Sequence, residues 1–148
     1  MSSQPALYLP RPLVNKLLAH AQQNPDVEVC GLIGSDTSSN KNYYPIDNVS
    51  SVPGCRFLLD APQQISAMKK MRDRQQSLFA IVHSHPAASA QPSQLDIDES
   101  SYKDAFYIII SLNTEGVLEM RAFTQQQNSM SELDLILEDK TEYLTVQE

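Results

Sequence analysis

Apolar residues recur along this chain with two different periods, and the change from one to the other marks out its elements. After prolines at positions 10 and 12, Leu13, Leu17, Leu18 and Ala21 fall on one stripe at helical spacing, which predicts an amphipathic helix over 11–23. Two probable strands follow over 28–34 and 43–49, joined by the turn-like composition of 35–40, with a short third candidate over 56–60. A second helix is expected over 61–76, where proline stands near the first turn and Ile65, Met68 and Met71 sit opposite a basic face. Its methionines read as core filler.

The run Leu78-Phe79-Ala80-Ile81-Val82 is apolar and partly β-branched, the signature of a buried strand. Two more strands are expected over 106–112 and 117–124 around a turn at 113–116, and the polar stretch 125–129 reads as a solvated loop. Strands interspersed with two or three helices make an α/β or α+β layered sheet. No repeat, linker or composition break interrupts the pattern, so one domain is expected over 1–148, ordered from about Ala6 to Leu137.

At 148 residues the chain can bury a core without disulfide staples. Cys30 and Cys55 form no C-x-x-C pair and are expected to be buried, reduced thiols, although Cys30 lies two positions beyond Glu28 and so shares its face if that segment is a strand. The formal charge of −7, from 11 basic and 18 acidic residues, argues against nucleic acid as a partner. No run approaches the roughly 20 apolar residues of a membrane span, and the polar start Met1-Ser2-Ser3-Gln4-Pro5 does not resemble a secretory signal. The expectation is a soluble, cytoplasmic protein that binds no membrane.

The chemistry is concentrated where the strand at 78–82 ends. His83 and His85 are two positions apart, so on a continuing strand both imidazoles point to one face. Pro86 stops regular pairing, a short loop of small residues follows, and Ser93-Gln94-Leu95-Asp96 has the S-x-x-D form of a helix start. That loop is short enough to bring Asp96 back over the strand end. Two imidazoles and one carboxylate with a fourth position open to water make a catalytic rather than a structural zinc set. The plainer alternative is a pair of satisfied histidines beside an ordinary capping box, and the two readings are compatible. His20, on the first helix, has no partner nearby in sequence and reads as a surface or packing histidine.

Together with Glu28-Val29-Cys30-Gly31-Leu32 upstream, the pattern H-x-H-x7-S-x2-D resembles the JAMM metalloproteases, the catalytic branch of the MPN domain superfamily. The resemblance implies a curved mixed sheet flanked by helices, related in architecture to cytidine deaminases. It implies one zinc ion held by His83, His85 and Asp96, with Glu28 as the acid/base residue and Ser93 helping to hold the oxyanion. Spacing alone does not select Glu28 among eight glutamates. The reaction so implied is hydrolysis of a peptide or isopeptide bond after the C-terminal Gly-Gly of a ubiquitin-like or sulfur-carrier protein, as in the small stand-alone prokaryotic members. A non-catalytic MPN scaffold is the main alternative. The H-x-E and P-C-x-x-C of zinc deaminases and the H-E-x-x-H of other zinc peptidases are absent from the chain.

Overall fold

A computed structural model of the protein describes residues 5–113 and 118–138. Seven strands form one mixed sheet: β1 (Ala6–Pro10), β2 (Cys30–Ser35), β3 (Lys41–Ile46), β4 (Ser77–His85), β5 (Phe106–Ser111), β6 (Glu119–Gln126) and β7 (Ser129–Glu138). Their order is β1-β7-β6-β5-β4-β2-β3. The β4–β5 and β1–β7 pairs are parallel and the rest antiparallel. Helices α1 (Arg11–Gln23), α2 (Ala61–Asp73) and the short α3 (Gln94–Glu99) complete the fold. None of the helices among the described residues is long and apolar enough to cross a membrane.

Alternation along the central strands builds a core on each face of the sheet. On one face, Ala80, Val82, Ile108, Ile110 and Ile33 pack with Leu13, Val14, Leu17 and Ala21 of α1 and with Leu7 and Leu9 of β1. On the other, Ile81, Ile109, Tyr107 and Leu32 pack with Ala67 and Met71 of α2. His83 and His85 follow Ile81 at two-residue steps along β4, so the strand face that contributes Ile81 to the second core also delivers both imidazoles.

Several expectations are corrected. The first expected strand begins at Cys30, not at 28, because the Val29 N–H is taken by the Ser84 side chain rather than by a ladder carbonyl. The stretch 56–60 makes only one isolated bridge, Leu59 with Asn48. Helix α2 stops at Asp73, since Gln75 adopts a positive φ of 58°. Ile65 is 69% exposed, because the stripe that faces the sheet passes through Ala67 and Met71 instead. The polar stretch 125–129 is largely strand: Gln125 and Gln126 pair with Met130 and Ser129, leaving a two-residue turn. Strands β1 and β7 were not anticipated. Residues 114–117 of the expected turn and strand lie outside the described residues.

Gly31 shows why the segment after Glu28 carries a glycine. A Cβ built there would lie 2.5 Å from Tyr43 Cε1 and 2.6 Å from its hydroxyl. That hydroxyl is held 2.7 Å from His20 Nδ1, which places His20 as a packing histidine and leaves the ring little room to withdraw. Gly31→Ala should therefore cost about 1–3 kcal/mol through overpacking. Urea denaturation of the substituted protein would read this as a lower midpoint, and an unchanged midpoint would contradict the crowding.

Candidate metal centre

Strand β4 runs three residues past its apolar stretch and ends on His85, with His83 opposite Cys30 of β2 and Ile109 of β5. Both histidines are buried. The ring of Phe57 stacks on His83 with centroids 4.5 Å apart, which fixes the plane of that imidazole. His85 is fixed by a hydrogen bond of 2.7 Å between Nδ1 and the carbonyl of Ser89. A carbonyl only accepts, so His85 Nδ1 carries the proton and the lone pair of the neutral ring is at Nε2.

Asp96 arrives from α3. Ser93 caps this helix by accepting from the Asp96 N–H at 3.0 Å, and the Asp96 carboxylate accepts from the Ser93 N–H at 2.8 Å. The expected capping box is thus formed, and it aims the carboxylate at the strand end. Asp96 Oδ2 lies 3.2 Å from His83 Nε2 and 3.1 Å from His85 Nε2, and the two Nε2 atoms are 3.1 Å apart. The Ser93 hydroxyl accepts one backbone hydrogen and keeps its own proton for a further partner.

Glu28 is placed by its backbone. Its N–H donates to the Pro53 carbonyl at 2.7 Å, and its carbonyl accepts from Asn48 Nδ2 at 2.8 Å. The next residue is clamped to β4: Val29 N–H donates to Ser84 Oγ, and Ser84 N–H donates to the Val29 carbonyl. Four of these atoms belong to residues that sequence patterns did not single out. Ser84 stands between the two histidines and its alternation to the opposite face was the only available signal. Asn48 and Pro53 gave none. The resulting cluster brings one ligand-capable atom from each of Glu28, His83, His85 and Asp96 within 4.8 Å of one another. Cys30 stays outside it, its thiol directed at the Ile46 carbonyl at 3.3 Å and pushed up to about 12 by burial. Cys30 is buried as expected, but Cys55 is exposed.

The electrostatics are those of groups packed for one another. Burial pushes Glu28 up to about 7, with the Asp96 charge acting in the same sense and His85 against it. Burial also holds His83 below its ordinary value. For His85 burial acts downward too, but hydrogen bonds to Asp96 and Ser89 carry it above. Burial would raise Asp96, yet hydrogen bonds from both imidazoles hold it well below the usual carboxylate range.

The donor set fits a divalent cation. His85 Nε2 presents its lone pair toward the Asp96 carboxylate oxygen, and His83 Nε2 stands within 3.2 Å of both, so three atoms able to ligate a cation converge on one point. Ligands at the roughly 2.0–2.1 Å bond lengths of a tetrahedral zinc stand about 3.3 Å apart, close to the observed 3.1–3.2 Å. Buried Glu28 Oε1 and His83 Nδ1 have no hydrogen-bond partner, which marks polar groups set beside a site rather than satisfied within the fold. A cavity of about 250 Å³ adjoins the cluster, lined by His83 and Asp96 and walled by Phe57, Leu59, Leu95 and Tyr107.

Residues 10–125 match the family described as prokaryotic homologs of the JAB domain. The CysO-cysteine peptidase of Mycobacterium tuberculosis is 28% identical over 122 residues, covering 81% of this chain and 83% of that protein. A probable TtuB-protein conjugate cleaving protease of Thermus thermophilus is 33% identical over 117 residues, covering 79% and 74% respectively. A solved structure described as "JAMM: A Metalloprotease-like Zinc Site in the Proteasome and Signalosome" aligns with a TM-score of 0.50 and 16% identity over 91% of this chain and 99% of that one, a likeness of fold. The mixed sheet with its flanking helices is accordingly the fold that the H-x-H-x7-S-x2-D pattern implied, and the chain belongs to the prokaryotic JAB-domain family.

Proposed function

We propose that this protein is a zinc-dependent peptidase that hydrolyses the peptide or isopeptide bond following the C-terminal Gly-Gly of a ubiquitin-like or sulfur-carrier protein. One observation carries the reading: His83 Nε2, His85 Nε2 and Asp96 Oδ2 meet within 3.2 Å at the end of β4, with the Glu28 carboxylate beside them. Two relatives are named for cleaving CysO-cysteine and TtuB–protein conjugates, which supports the substrate class.

In this reading His83, His85 and Asp96 hold one zinc ion per chain. Zinc, when bound, acidifies water toward a pKa of about 7 and polarises a carbonyl. Glu28 takes a proton from the attacking water and returns it to the departing amine, a role typically worth about 10²–10⁴ in rate. Its burial suits it to both halves of that exchange, because a carboxylate raised to about 7 gains and loses a proton near neutral pH. Ser93 donates its free hydroxyl hydrogen to the oxyanion that develops on the substrate carbonyl. Phe57 and the neighbouring apolar wall keep bulk water away from the reacting bond.

Protein purified without chelator is expected to contain one zinc per chain and to cut a carrier protein fused through its C-terminal Gly-Gly to a peptide, with the new end identified by mass spectrometry. A chelator should stop the reaction and added zinc should restore it. Failure to take up zinc on titration would favour the non-catalytic scaffold instead.

A further inference from the structure

Among the groups lining the cavity beside the metal cluster that the mechanism leaves unused is the guanidinium of Arg56, and we propose that it is the specificity residue that receives a carboxylate of the residue released by cleavage. The inference rests on the peptidase reading above.

Arg56 lies in the loop between β3 and α2 and lines the same cavity as His83 and Asp96. Its Nη2 donates to Glu99 Oε2 at the end of α3, so the pair ties the two walls of the cavity together. That bond leaves the guanidinium underused. Arginine offers five N–H donors in a planar fork suited to bidentate carboxylate binding, whereas Glu99 engages it through a single oxygen. Arg56 Nε is itself buried and has no partner. A buried donor left unmet is disfavoured, and a turn of the guanidinium away from Glu99 would open the Nε–Nη edge to an incoming carboxylate that binds both. Exchange is accessible because the Glu99 and Arg56 side chains remain 43% and 42% exposed, and an ion pair so placed is weakly held.

The side of the scissile bond on which this carboxylate lies follows from substrate chemistry. Two glycines precede the bond, and neither has a side chain to bring a charge into the cavity. The carboxylate therefore belongs to the leaving side: either the free α-carboxylate of a terminal residue, or the acidic side chain of the first residue released. The backbone of the loop supports the placement, since Arg56 N–H donates to the Val52 carbonyl and the Arg56 carbonyl accepts from Asn48 Nδ2, the same amide that holds the Glu28 carbonyl. One side chain thus sets both the proposed base and the proposed specificity residue.

The test uses the zinc-loaded full chain and a carrier protein with four extensions after Gly-Gly: alanine with a free carboxylate, alanine carboxamide, and Asp-Ala or Asn-Ala carboxamides. The native protein should favour the charged member of one pair by roughly tenfold to a hundredfold in kcat/KM, the range for losing a charged hydrogen bond. Preference in the first pair identifies the α-carboxylate, and preference in the second an acidic side chain. Arg56→Gln should bring that ratio close to one, Arg56→Lys should retain part of it, and Glu99→Gln, which frees the guanidinium, should increase it. Zinc content and thermal midpoint, measured on each variant, separate this effect from unfolding, and Glu99→Gln keeps the test open if Arg56→Gln does not fold. Equal cleavage within both pairs by the native protein, or a preference that none of the three substitutions changes, would overturn the assignment of Arg56 alone. Absence of cleavage of all four would overturn the peptidase reading and this inference with it.

Discussion

His85→Ala protein, purified beside the native chain, is expected to contain no zinc and to leave a Gly-Gly fusion uncut. The ligand atoms proposed for His83, His85 and Asp96 stand 3.1–3.2 Å apart, and removing one would leave only two of the three protein ligands that a catalytic zinc site requires. Asp96→Ala should lose the metal as well, with a further penalty of about 1 kcal/mol because the same carboxylate closes the capping box of α3. His85→Ala lacks that complication. Its partner outside the cluster is the Ser89 carbonyl, in a loop that can reach solvent. Thermal melts provide a readout independent of activity. A ligand at a thousandfold excess over its dissociation constant stabilises by about 4 kcal/mol, so zinc should raise the native midpoint by several degrees and leave both variants where they were. Zinc bound at native stoichiometry by both variants would refute the ligand assignment.

How far the sequence disclosed this site depended on whether the signal was local. His83 and His85 need only a strand to share a face, and Ser93 with Asp96 needs only a helix start, so period and capping grammar located all four. The Glu28 segment reaches β4 through an antiparallel pairing across 55 positions from Val29 to Ser84, which no spacing rule encodes. It was found by resemblance to a known motif. The same distinction explains the fold. Helix α1 and the apolar runs of β4 and β5 advertise themselves, whereas β1 is five residues bounded by proline and β7 alternates buried Leu133 with acidic and polar neighbours. Those two strands are secured by pairing with each other, a parallel contact between opposite ends of the described chain. Ile65 misled because Ile65, Met68 and Met71 are acceptable as a stripe, and only the sheet beneath decides that Ala67 and Met71 lie inward. Arg56 carried no motif at all; its interest arises from Glu99, His83 and Asp96, which tertiary structure alone brings to one cavity.

Glu28→Gln should separate chemistry from metal binding more cleanly than any other substitution. Glutamine matches glutamate in shape and the backbone contacts to Pro53 and Asn48 do not involve the side chain, so the three proposed metal ligands should keep their positions. What is lost is the ability to take a proton. Zinc content should therefore match the native protein while turnover falls by about 10²–10⁴, the usual contribution of a positioned acid or base. The same substitution has a distinct signature in the metal-free protein. Burial raises the Glu28 pKa from 4.5 to about 7, so between those pH values the folded chain retains a proton that the unfolded chain has released. The contribution of this carboxyl to stability is thus greatest below pH 4.5, diminishes as pH rises through 7 and is fully unfavourable above it. Glutamine cannot ionise. Denaturation of the chelated proteins across that window should show the variant gaining on the native chain as pH rises, whereas a merely damaged core would lower stability equally at every pH. Native turnover in the zinc-loaded variant would remove Glu28 from the reaction, and a parallel pH dependence of the two chelated proteins would mean that its carboxyl is not held in the buried environment described.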